Sequence, residues 1–188
     1  MSRRLIGPGL RLGLPKLMRK FARNKSAATA AEFAIVALPL LALIFAALQA
    51  AIVLMAEEEL ETAADQAGRL VMTGQVTSVS GQTGFLSQAN FQKKVCSYLV
   101  ALFNCNNLMV NMQTASSFAN AGVSPPTLKT LQNNQWSYQT GSAGQVVVLQ
   151  VMYEWPVVSS ILGFNLATPT LPNNTRLLMA TSVFQNEP

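Results

Sequence analysis

The sequence predicts an α+β protein: a long N-terminal transmembrane helix continuing into a small exported domain with a second helix and an antiparallel sheet. Three observations predict it. Phe33 to Ala56 is a run of 24 residues without a charge, bracketed by Glu32 and by Glu57, Glu58 and Glu59. Residues 1–27 hold eight bases and no acid, so the flank before the run is strongly positive. Far downstream, QVVVLQVMYEW at 145–155 is β-branched and aromatic, and Pro156 ends it, as a strand requires.

The charge of +5 divides unevenly. Beyond residue 27 the chain has five bases against eight acids, a net of −3. The high pI of 9.6 therefore belongs to the leader and not to a basic face on the domain, which removes the case for nucleic-acid binding. The chain has no histidine, so the usual general base, the usual metal ligand and any Ser-His or Cys-His dyad are missing. Two cysteines alone fall short of the four ligands of a structural zinc site. Gly81 and Gly84 lack the Lys-Ser/Thr and strand-to-helix context of a phosphate loop. The sequence thus implies no enzyme, catalytic residue, metal or cofactor.

At the standard rise of about 1.5 Å per residue, the apolar run makes roughly 36 Å of helix, enough to cross a bilayer with some tilt. Basic residues before it place that end in the cytoplasm. The helix continues past the membrane, because Leu60, Ala63, Ala64, Ala67, Leu70 and Val71 recur on one face. Asp65 and Arg69 are spaced as an i,i+4 pair, and Gly74 is the expected stop. The small residues Ala63, Ala64, Ala67 and Gly68 suit close packing within the chain. Pro39 lies inside the helix, which membrane helices tolerate with a kink. Gln49 is the other polar residue of the span, read as simply tolerated there, with an interhelix hydrogen bond as the alternative.

The leader, MSRRLIGPGLRLGLPKLMRKFARNKSA, is broken by glycines and prolines and reads either as a cytoplasmic tail or as a removable segment. A mitochondrial transit peptide shares the Arg-rich, acid-poor composition, but the span that follows argues against it. An ordinary secretory signal fits poorly, since its core is shorter and ends at a small-x-small site. A cut before the apolar helix fits better: Lys25-Ser26-Ala27-Ala28 offers small residues, and Glu32 is fifth counted from Ala28.

With ATAAEFAIVALPLL after a basic leader, the chain resembles type IV prepilins, and in particular the TadE-like pseudopilins of the tight-adherence (Flp) pilus. The resemblance continues through QAAIVLMAEEELETAADQAGRLVMTGQV, FQKKVCSYLVALFNC and the ending VVVLQVMYEWPVV…RLLMATSVFQNEP. It implies cleavage between Ala27 and Ala28 by a prepilin peptidase, with Ala27 where many prepilins carry glycine. It also implies an assembly or recognition role for Glu32 and Phe33, with Glu32 meeting the N-terminal ammonium of a neighbouring subunit. An unpaired carboxylate is penalised in low dielectric and a paired one tolerated. The plainer reading is an acid favoured near a helix N-terminus.

The implied organisation is a cleaved leader at 1–27, the long helix at 28–75 with its membrane span at about 33–56, and a periplasmic α+β domain at 76–188. The implied function is that of a minor pilin or pseudopilin in assembly, initiation or capping of the fibre. The implied partners are the prepilin peptidase, other pilins and pilus assembly proteins of the inner membrane, and the lipid bilayer. The alternative is an uncleaved bitopic inner-membrane adaptor whose domain binds another envelope component.

Within the domain, 75–88 is rich in Ser, Thr, Gly and Gln and reads as a loop. A second helix is expected from Gln88 to about Phe103. Cys96 and Cys105 would stand about 13.5 Å apart in a continuing helix, too far to bond. Asn104, Asn106 and Asn107 supply turn chemistry that folds Cys105 back, and an exported chain favours the disulfide. Two buried free thiols are the alternative. Leu108–Met112 and Leu177–Phe184 are the remaining strands, and Tyr153, Trp155 and Phe164 are expected in the core.

Overall fold

The computed structural model describes residues 25–76, 87–100, 102–122, 125–133, 136–158, 165–169, 171 and 174–187. Most of the expected leader (1–24), most of the expected loop (77–86) and Phe164 lie outside them. The chain divides into two compact units, Met1–Ile44 and Phe45–Pro188. Helix α1, Lys25–Met72, passes through Pro39 and supplies residues to both. Its Thr29–Met72 portion is long and apolar enough to cross a membrane.

In the first unit the large apolar side chains of α1 stand exposed: Phe33, Ile35 and Leu38 are each more than 70% exposed. In the second unit the same helix changes character. Val53, Ala56, Leu60, Ala63, Ala64, Ala67 and Val71 form one buried stripe at helical spacing. The helix ends as its glycine predicts. Gly74 takes φ 68°, its N–H donates to Val71 O, and Gln75 N–H donates to Leu70 O. This is the Schellman arrangement, which only a residue free of the Cβ penalty adopts readily.

Helix α2 spans Gln88–Cys96 and stops about two turns before the expected end at Phe103. Ser87 caps it by accepting from Asn90 N–H, and Ser97 Oγ donates to Lys94 O at its end. The chain then turns through a 3-10 segment, Cys105–Asn107, whose start is fixed by the Asn104 side chain accepting from Asn106 N–H. A further short helix, α3 (Leu128–Asn133), and a 3-10 turn, Phe118–Asn120, join the elements of the sheet.

The sheet has three antiparallel strands in the order β1 (Leu108–Ala115), β2 (Val146–Pro156), β3 (Thr175–Gln185). β1 and β3 each run three residues longer than the sequence suggested, and β2 keeps its expected length but is shifted one residue on, to include Pro156. Register pairs Val110 with Val151 and Val151 with Ala180, so one face carries Val110, Met112, Leu149, Val151, Leu178 and Phe184. Those side chains share a core with the α1 stripe and with Phe91 and Val95 of α2.

Alanines in the α1 stripe let the helix backbone approach the sheet. The limit of that approach is Gly68, where a Cβ would lie 3.1 Å from the Phe184 ring and from Ser182 Oγ. Tyr153 is buried, and its ring meets Phe103 edge-on at 5.0 Å between centroids, with half-buried Trp155 beside both.

The other face of β2 is also buried, and here a polar pair sits among apolar neighbours. Asn111 Nδ2 donates to Gln150 Oε1 at 2.9 Å, while Asn111 Oδ1 accepts from Ser137 N–H. A one-residue slip of β1 on β2 would strand both amides, so the pair holds the register. Tyr138 has its hydroxyl buried without a partner, and burial pushes its pKa up to about 12. That contribution is complete below about pH 10 and is lost as pH rises through about 12, so it adds no pH dependence near neutrality.

Candidate functional site

The sequence directs attention to Ala27, Ala28, Glu32 and Phe33. The structure places all four on α1, the first two within its opening turn. The bond between Ala27 and Ala28 is therefore in helical backbone. Glu32 is exposed and makes no ion pair or hydrogen bond with a described residue. Phe33 beside it is 75% exposed. A carboxylate and a large aromatic group presented together, without partners among the described residues, are what a contact with another molecule would use.

Farther along α1, two polar tethers fasten the helix to the domain. Arg176 at the start of β3 donates from Nε and Nη2 to Glu57 Oε1, at 3.1 and 2.9 Å. Both side chains are one-third exposed, so solvent screens much of this pair, and it orients the helix more than it stabilises it. One helical turn earlier than Val53, Gln49 Nε2 donates to Val158 O at 3.3 Å. This polar residue of the span is thus engaged inside the chain. With Val53 and Ala56 buried too, the last two turns of the apolar run serve the domain on one side. On the other, Ile52, Leu54 and Met55 stay exposed.

Sequence reasoning missed the Glu57–Arg176 pair. Glu57 was legible only as one of three consecutive acids, and nothing local marked which would find a base 119 residues away. The reverse happened at Asp65 and Arg69. Both are exposed and form no ion pair with a described residue, since a solvated i,i+4 pair is worth only about 0.3–0.5 kcal/mol.

Cys96 and Cys105 are joined as a disulfide, with Cα atoms 5.7 Å apart across a separation of nine residues. The early end of α2 makes this possible, because a helix continuing to Phe103 would have carried the two apart. Closing so short a loop contributes roughly 2.5–3 kcal/mol in the chain-entropy account. Mass spectrometry of unreduced peptides should recover one cross-linked fragment holding both residues. Alkylation of both thiols without prior reduction would contradict it.

Residues 27–69 match the family model of TadE-like proteins. The matched segment begins at Ala27, includes Glu32 and Phe33, and ends within the part of α1 that packs on the sheet. No curated protein matches the chain, and no solved structure does.

Proposed function

We propose, for a chain whose residues 27–69 are TadE-like, the role of a minor pilin or pseudopilin of a tight-adherence pilus. A prepilin peptidase removes residues 1–27. The mature chain stays in the inner membrane through α1, with its domain in the periplasm, and then takes part in assembly, initiation or capping of the fibre. Its partners are that peptidase, other pilins, the inner-membrane assembly proteins and the bilayer. Its role is contact and not catalysis.

The observation that carries this reading is the family match, which begins at the residue before the expected cut and holds Glu32 at the fifth position of the mature chain. Exposed Glu32 and Phe33 supply a surface for a neighbouring subunit. The adaptor reading draws on one observation, the helical backbone that runs across Ala27–Ala28 from Lys25. A peptidase must unwind that turn to reach the bond.

Substitution of Glu32 separates the two. Glu32→Ala should insert normally, because removing a carboxylate from the edge of an apolar span lowers the cost of insertion. Fibres sheared from cells carrying it should be few or absent, with the protein recovered in the membrane fraction. Normal fibre yield from Glu32→Ala would favour the adaptor.

A further inference from the structure

A groove of about 830 Å3 opens beside the first residues of β1, bounded by the first turns of α2, the Cys105–Asn107 turn and the end of β2. We propose that it binds a neutral, polyhydroxylated ligand: a short segment of an uncharged oligosaccharide. This holds whether or not the chain enters a fibre.

The size lies within the range of about 300–1,000 Å3 usual for small-ligand sites. No lysine or arginine lines it, so an anionic ligand would find no countercharge. Its one carboxylate, Glu154, makes no ion pair or hydrogen bond with a described residue. A carboxylate only accepts, and hydroxyl groups are donors it can satisfy. Asn106 and Asn107 stand exposed at the rim, and neither side chain bonds to a described residue. Each amide offers a carbonyl and an NH2 side by side, the combination that neighbouring hydroxyls require. Tyr153 Oη accepts from Asn104 N–H and keeps its own proton to donate. Trp136 lines the same groove; its flat ring suits the C–H face of a sugar.

An extended peptide is the competing occupant, and the edge of the sheet argues against it. Strand addition draws its affinity from free main-chain groups. At this edge, Val110 O already accepts from Gln88 Nε2 at 3.0 Å, and Leu108 O accepts from Gln92 Nε2. Met112 N–H donates to Ser137 O and its carbonyl accepts from Gln139 N–H. The strand carbonyls are taken where the groove meets the edge, so side-chain chemistry is most of what remains for a ligand.

Full-length protein in phosphatidylcholine nanodiscs would be titrated with chitotriose, maltotriose and cellotriose, followed by tryptophan fluorescence and saturation-transfer NMR. A decapeptide of mixed polar sequence would be run beside them. The expected result is saturable binding of at least one trisaccharide, weakened at least about tenfold in the double variant Asn106→Ala/Asn107→Ala. Those two side chains are exposed and make no hydrogen bond with a described residue, so this variant should keep the fold. Glu154→Gln, which retains an acceptor oxygen, should bind more tightly than Glu154→Ala. Absence of saturation with all three sugars would overturn the proposal. So would binding that the double variant leaves unchanged, or displacement of the sugar by the decapeptide at lower concentration.

Discussion

Leu60→Ala should destabilise the domain by about 2–5 kcal/mol, the range for emptying a fully buried leucine site. Leu60 has no exposed surface and sits at the centre of the α1 stripe, between Ala56 and Ala63 and Ala64. Its neighbours on the helix are alanines, already too small to expand into the gap. The cavity would therefore persist, which puts the cost toward the upper part of that range. Denaturant unfolding of the protein in detergent, followed by tryptophan fluorescence, reads the effect. Glu61→Ala, one residue on and exposed, should change stability by less than about 0.5 kcal/mol. Equal effects from the two would mean that α1 does not seat on the sheet through this stripe.

The second large effect is all-or-none. Ala27→Trp should abolish removal of the leader, since the peptidase has to accept the residue before the bond as a small side chain. Uncut protein retains the eight leader bases and a formal charge of +5, where a chain cut after Ala27 would carry −3. The two forms separate by isoelectric focusing without any need for an antibody to the leader. Ala27→Gly should be cut as well as the natural chain or faster, because glycine removes the last Cβ and weakens the helical turn across the bond. Loss of cutting in both variants would point to disruption of the leader as a whole, and cutting in both would remove Ala27 as a determinant.

Much of the fold was legible because its largest elements have strong local signatures. α1 announced itself twice, through 24 uncharged residues and then through a stripe at helical spacing that stops at Gly74. β2 was marked by four valines and two aromatic residues within eleven positions. What the sequence concealed is set by contacts between distant residues. Helix α2 is shorter than its apolar periodicity suggests because Ser97 closes it and Cys105 has to return to Cys96. Gln88 and Gln92 look like ordinary helix formers, yet they serve as caps on the edge of β1, 22 and 16 residues away respectively. Their role follows from the packing of α2 beside that edge, which no local pattern encodes.

The candidate site divides in the same way. Glu32 and Phe33 could be picked out by their offset from a small-residue pair, since that information lies within seven consecutive residues. The anchoring of α1 by Gln49 and Glu57 could not, because Val158 and Arg176 lie more than a hundred residues further on. Gln49 is not merely tolerated in the apolar run: its amide donates to a carbonyl of its own domain, a partner that no local pattern marks.

The most direct test of the account is the N-terminus of the protein recovered from the membrane fraction of cells that also express a prepilin peptidase. Intact-mass measurement with N-terminal sequencing should find a mature chain beginning at Ala28, with Glu32 as its fifth residue. A chain that still begins at Met1 or Ser2 would contradict the pilin reading and leave the anchored adaptor as the better account.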